Sequence, residues 1–348
     1  MVDSTIGLHI CRFRGFFLGT TLQNKLAVQS TGRGVEDRLP LVSSVLGALA
    51  YADLFDAPLS AEEIYRYQIT TSFSEAEITR ALGSEPGLRA GVVSDGKYYC
   101  LKGREGLFAV RAERAAASRK VWERARLYAG WLRRLPFVRM VAVTGALAVN
   151  NVNGRYDIDL LVISRPGRVW LCRRGLIGWV RVGRLLGDDL CPNYILSEGS
   201  LELAQRDFFT AHELAQMVPL YGARVYDRML EANGWASTYL PALSGPDSVR
   251  ETPGGRASRS GPLEKVLGGR AFDRWERWEL ERLRGKLRSQ IGEDAEVVLT
   301  PDQCKGHTGL HRAAVMTRFM SRLAELGLHD VMVALEEAQM FTATEPGT

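Results

Sequence analysis

Two aspartates separated by a single residue, Asp157 and Asp159, are the side chains in this sequence best placed to do chemistry. An apolar run at residues 160–163 follows them, which indicates a strand that enters a hydrophobic core. Side chains at positions i and i+2 of a strand share a face, so the two carboxylates should point together. Neighbouring carboxylates repel each other unless a cation lies between them, and oxygen ligands of this kind suit Mg²⁺. The alternative is that both aspartates only solvate the start of the strand.

A second strand should precede the aspartates, because residues 141–143 are apolar and largely β-branched. That run stops at Thr144 and Gly145, a turn signal, and residues 153–154 (Asn-Gly) mark a further turn. The segment therefore predicts a strand, a glycine turn, a short helix or loop, a second turn and a strand at residues 157–163.

This order of a strand, a glycine turn and Asp-hydrophobic-Asp on the next strand resembles the nucleotidyltransferase superfamily, the DNA-polymerase-β-like fold that includes the minimal nucleotidyltransferases. The matching residues are Gly145-Ala146, followed by Asp157 and Asp159. The resemblance implies an α/β (α+β) protein, with a nucleotidyltransferase-fold mixed sheet flanked by helices. It also implies Mg²⁺-dependent transfer of a nucleoside monophosphate from an NTP to an unknown acceptor, which could be a small molecule, a protein or RNA. Asp157 and Asp159 would be catalytic and would bind Mg²⁺, with two ions possible, and the NTP would contact Thr144, Gly145, Ala146 and Arg155.

The sequence departs from the family pattern at two places. Ala146 stands where the family usually has a hydroxyl or a glycine that contacts phosphate. The family's third carboxylate comes from a nearby strand, but the corresponding strand at residues 190–196 has Asn193 at its centre. Either Asn193 binds the metal through its amide oxygen, or Asp189 reaches over, or the site holds one ion; Asn193 could also only satisfy backbone groups. The competing interpretation is a degenerate, non-catalytic fold that acts as a nucleotide-binding or protein-interaction module.

Composition and charge agree with a globular protein that meets phosphates. The chain has 348 residues, of which 46% are hydrophobic and 24% are charged, and its net charge is +5. Its isoelectric point is near 9.0, which fits a phosphate-binding protein or simply a basic surface. The five cysteines are scattered and odd in number, which favours a reduced, cytoplasmic location. No apolar run has the length of a membrane span, so no membrane partner is expected.

The pattern of helices, turns and linkers divides the chain into five segments. Residues 1–38 should be a poorly ordered N-terminus, and residues 39–103 a small winged-helix-like module. Residues 104–240 should hold the nucleotidyltransferase-like domain with its leading helix. Residues 241–262 are rich in Pro, Gly and Ser and read as a linker or loop, followed by a helical C-terminal region at 263–348.

The N-terminal module should contain three helices and a β-hairpin, the layout of a winged helix. Its second and third helices open with the capping-box sequences Ser-Ala-Glu-Glu at residue 60 and Ser-Glu-Ala-Glu at residue 74. The third helix presents Glu75 and Glu77 and only Arg80, which makes it a poor partner for a phosphate backbone. Strong DNA binding is therefore not expected, and a packing or protein-contact role is favoured.

Six further helices follow from apolar periodicity, at residues 104–135, 168–186, 200–222, 224–234, 261–290 and, as the last helix, 310–326. His212, in the third of them, reads as a packed core histidine rather than a base. Lys305 and His307 lie in a glycine-containing stretch before the last helix, so a loop there could bind phosphate. Cys304, His307 and His311 have spacing that a zinc site could use, although the pattern offers no fourth ligand.

Overall fold

The computed structural model describes residues 39–154, 156–243, 262–288, 297–306 and 311–344. The predicted disordered segment 1–38 and most of the predicted linker at 241–262 lie outside those residues. The described part of the chain is a mixed α/β structure built on one large sheet and a separate small hairpin. No helix in these ranges is both long and apolar enough to cross a membrane.

The N-terminal module contains short helices followed by a hairpin. Two capping boxes start the second and third helices: Glu63 N–H donates to Ser60 Oγ at 3.1 Å and Ser60 N–H donates to Glu63 Oε2 at 2.8 Å, and Ser74 and Glu77 repeat the arrangement. The hairpin turns at Gly96, which has a φ of +95°. A fourth short helix separates the third helix from the hairpin, which the sequence did not predict. The elements are α1 (Leu41–Asp53), α2 (Ala61–Arg66), α3 (Glu75–Ser84), α4 (Pro86–Gly91), β1 (Val92–Ser94) and β2 (Tyr99–Leu101).

A long helix, α5 (Leu107–Leu132), joins this module to the large sheet. Arg111 is buried within it and donates to Glu63 Oε1 at 2.7 Å, and Arg114 donates to the carbonyl of Phe55 at 2.9 Å. Arg104, just before the helix, donates to Asp53 Oδ1 at 2.7 Å. Hydrogen bonds to charged groups of this kind are among the stronger ones in proteins. These arginines therefore hold the N-terminal module against α5.

The large sheet has six strands in the order β6-β3-β4-β5-β8-β7. The pair β4–β5 is parallel and every other neighbouring pair is antiparallel, so the sheet is mixed and β4 is an inner strand. The strands are β3 (Val138–Val143), β4 (Ile158–Ser164), β5 (Leu190–Ser197), β6 (Val218–Tyr221), β7 (Val297–Leu299) and β8 (Gln303–Gly306). The helices around them are α6 (Gly145–Ala148), α7 (Val169–Leu185), α8 (Phe208–Gln216), α9 (Ala223–Ala232), α10 (Pro262–Leu267), α11 (Arg270–Arg288), α12 (His311–Glu325) and α13 (His329–Thr344), with a 3-10 turn at Gly234–Thr238.

The side chains of alternate residues of β4 contribute to two different hydrophobic cores. Ile158, Leu160 and Val162 belong to a core that contains residues of α5, α7 and α11. Leu161 and Ile163 belong to a second core, together with residues of α8, α9, the N-terminal helices, α12 and α13. Because side chains alternate along a strand, position 159 lies on the face of Leu161 and Ile163. We call this the α8 face of the sheet.

The sequence prediction of a single helix at residues 200–222 is wrong. Helix α8 begins only after Asp207, whose carboxylate accepts from Thr210 N–H at 2.9 Å as an N-terminal cap. The chain then forms β6, which pairs with β3 at the edge of the sheet. An edge strand tolerates Pro219, which lacks an amide hydrogen. Small apolar residues in α8 produced a helical period that did not continue into the strand.

The C-terminal region differs from prediction in three respects. The predicted helix at 261–290 is broken into α10 and α11, the predicted last helix is followed by α13, and β8 is a strand that the sequence did not predict. In α11, Trp275 is 42% exposed, whereas the neighbouring Glu276 is buried. Glu276 accepts from the amides of Trp170 and Leu171 at 2.6 and 2.9 Å, at the start of α7. A carboxylate is stabilised at a helix N-terminus, which explains why Glu276 lies on the buried side of α11.

His212 is packed in the core, as the sequence predicted. Its ring is buried and stacks on Tyr51 with ring centroids 4.1 Å apart, and it has no hydrogen-bond partner within the described residues. Burial without a partner for the charged form lowers the pKa of His212 from 6.5 to about 3. The folded protein therefore keeps this ring neutral while the unfolded chain binds a proton below about pH 6.5.

We expect His212→Phe to make the protein less sensitive to acid. As the pH falls from about 7 to about 5, proton uptake by His212 in the unfolded chain should lower the free energy of unfolding of the wild type by about 2 kcal/mol. The phenylalanine variant lacks this loss and keeps the aromatic stack. Urea unfolding at both pH values measures the difference, and His329→Gln, a change at an exposed histidine, is the control. Equal losses in wild type and His212→Phe would contradict a neutral buried His212.

Candidate functional site

The turn that follows β3 is shaped by its contact with the start of β4. Thr144 N–H donates to the carbonyl of Asp159 at 3.0 Å, and Gly145 adopts a φ of +65°. A Cβ atom on residue 145 would lie 2.5 Å from Asp159 Oδ2. Glycine is therefore required twice here, by the left-handed backbone and by the close approach of the carboxylate. The sequence predicted this glycine turn, with Thr144 buried and Ala146 exposed on either side of Gly145.

The two predicted aspartates lie together, as their spacing indicated. Asp157 immediately precedes β4, and Asp159 is the second residue of the strand, on the α8 face. One ligand atom of each aspartate and the Sγ atom of Cys191 all lie within 4.8 Å of one another. Both carboxylates are half-buried. The strand begins one residue later than predicted, so Asp157 lies just outside it.

The neighbouring strand β5 contains a bulge at Asn193. Asp159 is aligned with Cys191 and Leu160 with Pro192, but Leu161 is aligned with Tyr194, so Asn193 is an extra residue. A bulge of this kind redirects a side chain. Asn193 Nδ2 donates to Asp159 Oδ1 at 2.5 Å, and its Oδ1 accepts from Cys191 Sγ at 2.7 Å.

This geometry gives Asn193 a specific role as a partner of Asp159. Its amide nitrogen faces the carboxylate and its oxygen faces the thiol, so ligation of a metal through that oxygen remains a prediction. Asp189, the other expected candidate for a third ligand, lies 3.4 Å from Arg184 instead. Asp188 accepts hydrogen bonds from Arg124 and from the hydroxyl of Tyr128.

The ionised form of Asp159 is unfavourable on the α8 face, because the carboxylate is partly buried and lies close to other negative charges. Burial raises the pKa of Asp159 well above its ordinary value, and the charge of Asp157 raises it further, whereas the hydrogen bond from Asn193 lowers it. The charge of Glu213 also raises the pKa of Asp159. A bound cation would offset this repulsion, and the oxygen donors of Asp157 and Asp159 fit the preferences of Mg²⁺.

Glu213 is a third carboxylate that the sequence did not reveal as a site residue. It comes from α8 rather than from a strand, and burial raises its pKa to about 6, with Lys305 acting in the opposite direction. In the sequence Glu213 is one acidic residue next to His212 in an apolar helix, and only that isolation could have drawn attention to it. Its closeness to Asp159 depends on how α8 packs on the sheet.

Lys305 does not lie in a glycine-containing loop, and that part of the prediction is wrong. It lies in β8, directly across from Tyr194 of β5, because residues 303–306 pair with both neighbouring strands. Its Nζ donates to Gln205 Oε1 at 2.7 Å and lies 5.8 Å from the ring of Tyr194. This register puts Lys305 near Glu213. His307 lies outside the described residues.

Together these residues can bind a divalent cation beside a glycine turn. Arg155, the predicted phosphate-binding arginine, lies outside the described residues, so its position carries no part of this description. Cys191, like Glu213, was not predicted as a site residue; its spacing of two residues from Asn193 on one strand was the available signal. No protein-family model, no curated protein and no solved structure matches the chain.

We expect Gly145→Ala to destabilise the protein, because alanine cannot adopt this backbone conformation without strain and its Cβ would displace Asp159. The free energy of unfolding should fall by about 1–3 kcal/mol. Gly130→Ala in α5 is the matched control: nothing lies within 4 Å of the added Cβ, so it should stabilise the helix by up to about 1 kcal/mol. Urea unfolding of both variants measures the contrast. Unchanged stability of Gly145→Ala would contradict the close approach of Asp159 to this turn.

Proposed function

We propose that this protein is a Mg²⁺-dependent nucleotidyltransferase that moves a nucleoside monophosphate from an NTP to an acceptor. The observation that carries the proposal is the convergence of Asp157 and Asp159 beside Gly145, where a carboxylate oxygen occupies the space of a missing side chain. A glycine turn next to paired carboxylates is the combination on which the resemblance to nucleotidyltransferases rests. We also propose that the domain that carries this site has the nucleotidyltransferase fold.

Each residue of the site has a part in this proposal. Asp157 and Asp159 would hold Mg²⁺, which when bound neutralises developing charge on the phosphates and orients the reacting groups. The backbone of the turn at Gly145, flanked by Thr144 and Ala146, would lie against the triphosphate. Asn193 keeps Asp159 oriented through its hydrogen bond. Catalysis would consist of positioning and electrostatic stabilisation rather than covalent chemistry.

Positive charge for the triphosphate would come from two predicted residues. Lys305 lies on the α8 face of β8. One strand, β5, separates β8 from β4, the strand that carries the carboxylates. Its ammonium group is held by Gln205 at 2.7 Å, which gives it a defined position. Arg155 would add a second cation from the segment just before Asp157.

A non-catalytic nucleotide-binding or protein-interaction module is the second candidate. The specific observation in its favour is the hydrogen bond from Asn193, a neutral amide on the strand where the resemblance implies a third carboxylate, to Asp159. Ala146 also brings no hydroxyl to the phosphate. In this alternative the nucleotide, or a protein partner, would bind without need for a metal.

We propose that the N-terminal module serves packing or protein contact rather than DNA binding. Its helix α3 carries Glu75 and Glu77 in the first turn, and both carboxylates would repel a phosphate backbone. The arginines of α5 that approach the module, Arg111 and Arg114, are occupied by its side chains and carbonyls.

We expect NTP to stabilise the wild-type protein against thermal unfolding only when Mg²⁺ is present. Saturation at about a hundredfold over the dissociation constant corresponds to about 2.7 kcal/mol of stabilisation. Asp157→Asn and Asp159→Asn should each abolish the Mg²⁺-dependent part, because each removes one of two carboxylate ligands. Without ligand both variants should be as stable as the wild type or more stable, since repulsion between the carboxylates is relieved.

The control for this titration is Asp189→Asn, which changes a carboxylate whose partner is Arg184. It should retain the full Mg²⁺-dependent effect. NTP stabilisation that ignores both Mg²⁺ and Asp157→Asn would favour the non-catalytic module. A wild type that shows no Mg²⁺-dependent shift with any NTP would rule out the proposed enzyme.

A further inference from the structure

Cys191 contributes a sulfur atom to the candidate metal site. Its Sγ lies within 4.8 Å of a carboxylate oxygen of both Asp157 and Asp159, and its side chain is 8% exposed. The parallel pairing of β4 and β5 sets Cys191 directly beside Asp159. The thiol is therefore fixed on the same side of the sheet as the two carboxylates by strand register, not by a flexible loop.

A short chain of hydrogen bonds connects the thiol to Asp159 through Asn193. Cys191 Sγ donates to Asn193 Oδ1 at 2.7 Å, and Asn193 Nδ2 donates to Asp159 Oδ1 at 2.5 Å. The bulge at Asn193 makes this possible, because the extra residue lets its amide reach both neighbours. The bond from the thiol to Asn193 belongs to the metal-free state, because a thiolate bound to a metal has no proton to donate.

The donor set has a chemical preference. Mg²⁺ takes oxygen ligands and would use the two carboxylates alone. A thiolate is a soft ligand, and Zn²⁺ and Co²⁺ accept mixed sulfur and oxygen ligands in tetrahedral sites. Three protein ligands would leave one position open for water or a phosphate oxygen, the arrangement of catalytic zinc sites.

We propose that Cys191 is a third ligand of the metal at Asp157 and Asp159, and that a thiophilic divalent cation of the zinc class, when one is present, displaces the Mg²⁺ that the two carboxylates otherwise bind. This inference rests on the proposed function, because that proposal places a metal on the two aspartates. On binding, a metal–sulfur bond forms and the S–H bond breaks heterolytically, with the proton released to solvent and no change of oxidation state.

The other described cysteines provide a clean background for a test. Cys100, Cys172 and Cys304 are buried, and burial raises the pKa of Cys172 to about 12 and that of Cys100 to about 11. Burial raises the pKa of the Cys304 thiol as well. Within the described residues none of these three cysteines belongs to a group of side chains that could hold a metal, so a metal–thiolate signal should come from Cys191. Cys11 lies outside the described residues and is best removed by Cys11→Ser in every sample.

Titration of the full-length protein with Co²⁺ tests this assignment. A sulfur-to-cobalt charge-transfer band should grow in the near ultraviolet and saturate at one equivalent of Co²⁺. Zn²⁺ should abolish the band at a stoichiometric concentration, whereas a large excess of Mg²⁺ should leave most of it. Cys191→Ser should remove the band completely, and Cys100→Ser, a change at another buried cysteine, should leave it intact.

Two further results separate this inference from the proposed function. A protein with no band, or with a band that survives Cys191→Ser, overturns the role of Cys191 even when Mg²⁺-dependent stabilisation by NTP is present. A band that needs Cys191, in a protein that no NTP stabilises, supports the metal site and overturns the enzyme. X-ray absorption at the cobalt edge of the protein with its native Cys191 should show one sulfur neighbour, which tests the inference even if Cys191→Ser does not fold; oxygen and nitrogen neighbours alone would overturn it.

Discussion

The close approach of Asp159 to the Gly145 turn is the constraint on which the rest of this site depends. The Thr144 N–H···O=C bond ties the end of β3 to the start of β4, and the carboxylate of Asp159 then fills the space that a Cβ atom would need. This fixes Asp159 in an inner strand, next to Asp157 on one side and Asn193 on the other. Any ligand of the carboxylates must bind within a few ångströms of the turn.

The sheet gives this acidic site an apolar foundation. One face of β4 is covered by α5, α7 and α11, and the α8 face continues from Asp159 directly into a second hydrophobic core at Leu161 and Ile163. Burial beside a core strengthens every electrostatic interaction at the site. The same burial makes uncompensated charge costly, which is the physical reason that a cation, a proton or hydrogen bonds must balance Asp159.

The parts of the site that were predictable from sequence are those within one short segment. Asp157, Asp159 and Gly145 lie in a continuous stretch whose apolar periods and turn residues define two adjacent strands. Capping boxes at residues 60 and 74 were equally readable, because the interacting residues are only three positions apart.

The parts that escaped prediction depend on contacts between distant segments. Cys191 reaches the site through strand register and a bulge, and Glu213 through the packing of α8 on the sheet. Lys305 was expected in a loop, but it lies in a strand because β8 pairs with β5. In α11, the requirement for a carboxylate at the start of α7 buried Glu276 and left Trp275 exposed. Local propensity carries no information about such partners.

The central claim is that the carboxylate pair beside Gly145 supports transfer of a nucleoside monophosphate. The most direct measurement incubates the protein with Mg²⁺, a cell extract as the source of acceptor, and each NTP labelled at either the α- or the γ-phosphate. The proposed reaction requires α-label to enter a product and γ-label to leave as pyrophosphate, with wild type active and Asp159→Asn inactive. Transfer of γ-label instead, or transfer of α-label that persists in Asp159→Asn, would contradict this account.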